Sequence, residues 1–161
     1  MAESRIFADL KADHDRHRKL LALIAETSGA SDERKTLFES FMLEVTAHAA
    51  AEEESLYATM LGIPDLRDDA RHSVSEHKEV DDMLGELNDM DMGSSGWLTK
   101  FKTMRHRYEH HIDEEEEEMF PAAGKELSAN QEEQLGRLFE ERKPKERARA
   151  EASPPTSEER E

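Results

Sequence analysis

The chain has 161 residues, 39 of them acidic and 22 basic, for a formal charge of −17, and it contains no cysteine. The lack of thiols excludes disulfides, iron–sulfur clusters and cysteine nucleophiles, so any metal must be held by His, Asp or Glu, a donor set that suits iron, manganese or zinc. The acidic balance argues against binding a phosphate backbone, so no nucleic-acid partner is expected, and the length suits one domain with a core plus a tail.

The opening MAESRIFADLKADHD lacks the apolar h-region of a secretory signal, and no stretch approaches the roughly 20 apolar residues of a membrane span. A cytoplasmic protein without a membrane partner is the expectation. From Ser4 to Glu26 apolar residues recur at Ile6, Leu10, Leu20, Leu21 and Ile24, a helical stripe whose gap is filled by His14 and His17. The stretch from Thr27 to Asp32 supplies a glycine stop and then Ser31 or Asp32 as the next N-cap. Helix 2 runs to about Leu61, with Leu37, Phe41, Val45, His48, Glu52, Leu56 and Met60 on its inner stripe, and Gly62-Ile63-Pro64 ends it.

Helix 3 spans roughly Asp65 to Met90, with His77 interrupting Ala70, Val74, Val80, Leu84 and Leu87. After the loop from Asp91 to Gly96, helix 4 carries Trp97, Phe101, Met104, Tyr108, His111, Glu115 and Met119 on one face, and the stretch from Pro121 to Gly124 marks its end. Residues 127–142, with Leu135, Leu138 and Phe139, read as a short extra helix. Residues 143–161 carry no large apolar side chain and read as a disordered tail. The fold class is therefore all-α: an up-down-up-down four-helix bundle over residues 1–126, followed by the short helix and the tail.

The chemistry lies in a repeated device. His48-x-x-x-Glu52 on helix 2 and His111-x-x-x-Glu115 on helix 4 each stack an imidazole and a carboxylate on one helical face, so the two helices together offer two nitrogens and two carboxylates to a metal centre. Counting residues from the loops brings Glu52 level with His77 and His77 level with His111, while His14 and His48 differ by about four residues, roughly 6 Å. Four core histidines and two in-phase glutamates would bury unpaired charge without a metal. Glu114, Glu116, Glu117 and Glu118 read as a solvated acidic face, with Glu116 as the rival to Glu115. His106 and His110 read as solvated, and Tyr57, Tyr108 and Phe120 read as core. His17 stays open as an extra ligand or supporting partner, and Tyr108 as a hydrogen-bond donor to a bound oxygen species.

The helical order, with KADH14 on helix 1, HAAAEE from His48 on helix 2, EH77K on helix 3 and HIDEEEEEMFP from His111 on helix 4, resembles the hemerythrin-like, or HHE cation-binding, family over about residues 3–124. The resemblance implies that His14, His48, His77, His111, Glu52 and Glu115 bind two non-haem iron ions, oxo- or hydroxo-bridged, with the two glutamates also bridging. It implies a small diatomic or peroxide ligand and a role in reacting with or sensing oxygen, peroxide or nitrogen oxides. Hemerythrins proper carry two helix 3 histidines four residues apart. Here the position before His77 is Ser73, and His72 is one residue out of phase. Three functional readings stay open: a di-iron redox enzyme such as a peroxide-decomposing one, a reversible oxygen- or iron-binding module, and a plain bundle with incidental histidines. A ferritin-like site needs Glu-x-x-His and a zinc hydrolase His-Glu-x-x-His; neither motif occurs.

Overall fold

The computed structural model describes residues 3–152. Among them are five helices and no strand: α1 (Arg5–Ala25), α2 (Asp32–Glu52), α3 (Pro64–Asp89), α4 (Ser95–Glu114) and α5 (Ala129–Ala152). Two of these helices run on. A π-helical turn, Glu53–Tyr57, and a final α-helical turn, Ala58–Leu61, extend α2, while the π-helical turn Glu115–Met119 and the segment Phe120–Glu126 extend α4.

The starts follow the capping chemistry of the sequence. The hydroxyl oxygens of Ser31 and Ser94 accept from the backbone N–H of Arg34 and Trp97, each at 3.1 Å, which satisfies N–H groups that the first helical turn leaves free. Pro64 opens α3 where its missing N–H costs nothing. Ser128 and Gln131 exchange backbone N–H bonds at 3.1 and 2.8 Å, a capping box that starts α5. Gly29 adopts φ 61 in the turn between α1 and α2, a conformation that favours glycine.

The first four helices form the expected antiparallel bundle, with α5 laid along α1 and α2. Two apolar clusters fill it. One holds Ile6, Leu10, Leu56, Met60, Phe120 and Phe139; the other holds Leu21, Phe38, Phe41, Leu84, Trp97 and Phe101. The polar histidines and glutamates of the inner stripes lie between these clusters. At the loop end, Arg34 donates to the carbonyls of Thr27 and Met92 at 2.8 and 2.7 Å and sits over the Trp97 ring, which ties the α1–α2 turn to the α3–α4 turn. No helix among the described residues is long and apolar enough to cross a membrane.

Two boundaries need correction. Helix 4 does not end within the stretch from Pro121 to Gly124 but continues to Glu126, because the proline falls in the first turn of the helix that resumes after the π-helical turn, where a missing N–H is tolerated. The fifth helix does not end near residue 142. It continues to Ala152 with Pro144 inside it, so residues 143–152, expected to be disordered, are helical. They are anchored by charge instead of apolar bulk: Lys143 pairs with Asp13 at 2.6 Å, Arg147 pairs with Glu44, and Glu146 and Ala150 are buried. The remainder of the expected tail, residues 153–161, lies outside the described residues.

Candidate metal centre

All six residues singled out for a metal converge between the apolar clusters, and each is nearly or fully buried. α1 brings His14, α2 brings His48 and Glu52, α3 brings His77, α4 brings His111, and the π-helical turn that extends α4 brings Glu115. The histidines fall into two pairs, with ring centroids 5.0 Å apart for His14 and His48 and 4.8 Å apart for His77 and His111. The four-residue offset of His14 and His48 is thus absorbed by the packing of α1 on α2.

Each glutamate spans the two pairs. Glu52 Oε1 lies 3.7 Å from His48 Nε2 and 3.3 Å from His77 Nε2. Glu115 places Oε1 at 3.1 Å from His14 Nε2 and Oε2 at 3.5 Å from His111 Nε2. The Nε2 atoms of His14, His48 and His111, both carboxylate oxygens of Glu52 and Oε1 of Glu115 are buried without a hydrogen-bond partner. Buried polar atoms are almost always paired, so this convergence of unpaired donor atoms is the signature of a place where cations fit. Two groups of side chains are close enough to hold an ion each: His14, His48, Glu52 and Glu115, and His77, His111 and Glu115.

The opposite edges of the four rings are fixed by carboxylates. Nδ1 of His14 donates to Glu116 at 2.6 Å, His48 to Asp13 at 2.8 Å, His77 to Glu53 at 2.9 Å, and His111 to Glu76 at 2.9 Å. Such bonds lock each ring with Nε2 turned inward and raise its basicity as a ligand. None of these four carboxylates was recognisable as a partner from spacing, because each comes from a different helix than the histidine it orients, Glu53 from the π-helical turn that extends α2. Of the rivals Glu115 and Glu116, Glu115 faces the cluster, while Glu116 bonds His14 and Arg18. Glu117 and Glu118 are exposed, as are His106 and His110.

His17 is fully buried with its ring 5.1 Å from that of His48, and its Nδ1 meets the Tyr108 hydroxyl at 2.7 Å. It therefore supports the cluster from the side of the first pair. Tyr57, read as core, is indeed fully buried in the first apolar cluster, and the reading missed only its polar role: its hydroxyl bonds Glu115 Oε2, and its ring stacks on His77 at 5.3 Å. The π-helical turn that starts after Glu52 gives the helix its local widening and rotates Tyr57 onto the site beside Ser73, the position where a further histidine is missing.

Electrostatics separate the two glutamates. Burial and then the charge of Glu115 push the Glu52 carboxyl well above its usual range. Burial also resists ionisation of Glu115, but the close approach of the His14 imidazole at 3.1 Å and the charges of His111 and His14 outweigh it and hold this carboxyl well below the usual range. For His14, burial is outweighed by Glu115 and Glu116, which raise it to about 9, whereas burial lowers His48 to about 4. The chain by itself thus keeps one acid neutral and the other charged; a cation of charge +2 or more would let both ionise.

A helical bundle whose interior collects four histidines and two carboxylates from four helices belongs to the class of cation-binding bundle proteins. The model of the hemerythrin HHE cation-binding domain matches residues 5–123, and the chain belongs to that family. Among solved structures it is similar to a hemerythrin HHE cation-binding domain-containing protein from Mycobacterium kansasii, with 26% sequence identity, a TM-score of 0.79, and coverage of 91% of this chain and 89% of that one. No curated protein matches the chain.

Proposed function

We propose that the cluster holds two non-haem iron ions and that the protein is a redox centre reacting with peroxide, oxygen or nitrogen oxides. The observation that carries this reading is the span of Glu52 and Glu115 across two histidine pairs whose Nε2 atoms lie 3.1–3.7 Å from the carboxylate oxygens. His14 and His48 would hold one ion and His77 and His111 the other, with the glutamates shared between them. Bound iron would supply one-electron chemistry.

The chain's own residues set the conditions for it. Asp13, Glu53, Glu76 and Glu116 orient the imidazoles, and two apolar clusters exclude bulk water. A cleft of about 400 Å³, with apolar walls at Val45, Val80, Leu84 and Tyr108 and charged ones including Glu53, reaches His77 of the second pair and suits a small oxidant. With Ser73 where a further histidine would stand, the donor set is four imidazoles and two shared carboxylates, poorer in nitrogen and so relatively rich in oxygen. Oxygen donors favour the ferric state, which supports turnover over reversible oxygen carriage.

The test has two parts. Anaerobic iron loading and elemental analysis should give about two irons per chain. Stopped-flow mixing of the oxidised protein with peroxide should show consumption, and mixing of the reduced protein with oxygen should show irreversible oxidation. A long-lived reversible oxygen adduct without peroxide turnover would favour the binding-module reading instead.

A further inference from the structure

The His-x-x-x-Glu device occurs twice more, as His72–Glu76 on α3 and His110–Glu114 on α4. On α4 the outer pair stands one residue ahead of His111 and Glu115, and on α3 Glu76 stands one residue ahead of His77. One residue turns a helical side chain by about 100°, so the outer pairs leave the interior and meet on the surface along the seam between α3 and α4.

Their polar atoms are close. His72 Nε2 lies 3.4 Å from Glu76 Oε1 on its own helix and 3.5 Å from Glu114 Oε1 across the seam, while His110 Nε2 lies 3.3 Å from Glu114 Oε2. Donor atoms of His72, Glu76 and Glu114 all fall within 4.8 Å of one another. Ligand bonds of about 2.0–2.2 Å at tetrahedral angles put neighbouring donors about 3.3–3.6 Å apart, and each imidazole–carboxylate contact here, at 3.3–3.5 Å, matches that spacing. Two separate surface ion pairs would explain the contacts within each helix but not the reach of His72 to Glu114. Glu76, nearly buried, accepts the Nδ1–H of His111 on the same Oε1 that faces His72, which joins this cluster to the inner centre.

We propose that His72, Glu76 and Glu114 form a second, outer site for one divalent first-row transition ion, with His110 beside Glu114 at its rim. It shares the Glu76 carboxylate with the inner centre but not its ligands, and it does not depend on which metal the inner centre holds. The histidines at its rim are exposed, so the ion enters from solvent and exchanges freely.

Equilibrium dialysis of the full-length protein as purified against micromolar zinc, with zinc and resident metal counted in the same samples, tests this. Wild type is expected to hold one zinc per chain more than the variant carrying His72→Ala and His110→Ala, with resident metal and melting temperature unchanged. Glu114→Gln should lose the same equivalent and serves as the second comparison should the double variant fail to fold. Equal zinc in wild type and both variants would overturn the proposal. So would loss of resident metal together with the zinc, because the lost ion would then belong to the inner centre. An inner centre that takes up zinc contributes equally to wild type and variants, so the difference reads the outer site alone.

Discussion

Lys143 on α5 places its Nζ 2.6 Å from Asp13 Oδ1, and the other oxygen of the same carboxylate holds Nδ1–H of His48 at 2.8 Å. A residue far along the chain, in a segment without large apolar side chains, is thereby one carboxylate away from the candidate metal centre. Burial opposes ionisation of Asp13, but the bonds to His48 and Lys143 outweigh it and hold the carboxyl well below its usual range. A carboxyl depressed in this way contributes stability above its ordinary pKa, lost as pH falls through the folded value, so the relay is fully in place at neutral pH.

Removing the chain after Arg142 should accordingly lower both stability and metal retention. The loss of Lys143 and Arg147 leaves Asp13 and Glu44 short of cationic partners, at a cost of about 1–3 kcal/mol. Weakened orientation of His48 should cost about tenfold in metal affinity. Thermal melts and competition with a chelator read the two effects, and Lys143→Met should reproduce the affinity loss with a smaller change in melting temperature. A truncated protein with wild-type melting and metal content would show that α5 past residue 142 is ornamental.

Asp9 gives a prediction of the opposite sign. Burial and then Glu140 on α5 raise its carboxyl to about 6. A carboxyl raised in the folded state contributes most below its ordinary pKa, and that contribution is lost as pH rises through about 6. At pH 7–8 the Asp9–Glu140 pair is therefore a liability, and Asp9→Asn should stabilise the protein by on the order of 1 kcal/mol after allowance for solvent screening. In melting temperature this is about 2–4 °C. The gain should shrink toward pH 4, where Asp9 is protonated in the folded wild type; a gain independent of pH would point to some other cause.

Much of this architecture was legible in the sequence because helical periodicity placed six polar residues on faces that otherwise read as core. His14, His48, Glu52, His77, His111 and Glu115 all occupy those faces, and the loop-based heights brought them together. What periodicity did not reveal has a common physical origin. The π-helical turns after Glu52 and from Glu115 change the phase of each helix, so Tyr57 is both core and a hydrogen-bond partner of Glu115, and Pro121 was absorbed without ending the helix. The helical stretch of residues 143–152 was missed because its anchors are long-range ion pairs to α1 and α2, which leave no apolar stripe to count. Asp13, Glu53 and Glu76 were hidden for the same reason: a carboxylate that orients a histidine across the bundle has no characteristic spacing from it.

The adjacent glutamates on α4 should separate cleanly. Glu115→Gln removes a carboxylate that faces both histidine pairs and should abolish stable binding of at least one metal. Glu116→Gln leaves that carboxylate in place but removes the charge that orients His14 and pairs with Arg18. Its expected effect is a 10–100-fold loss of affinity, about what such supporting carboxylates contribute, with the stoichiometry retained. Elemental analysis at saturating and at limiting metal distinguishes the two. Retained stoichiometry in Glu115→Gln with loss in Glu116→Gln would exchange their roles.

Metal removal should matter more as pH rises, because of how Glu52 and Glu115 share the interior. Without a cation, burial and the neighbouring Glu115 push the Glu52 carboxyl well above its usual range, so the folded chain holds a proton there that the unfolded chain releases near pH 4.3. By linkage, the stability of the metal-free protein falls as pH climbs from that point through the raised folded value. Glu115 is shifted the other way and is already ionised across this window, so it does not offset the loss. Bound cations would neutralise both carboxylates and remove the slope. Melting temperatures of metal-loaded and chelator-treated protein should therefore diverge between pH 5.5 and pH 8, with the loaded form higher and the gap widening with pH. A gap that stayed constant, or closed toward pH 8, would mean that Glu52 does not carry the proton in the metal-free chain.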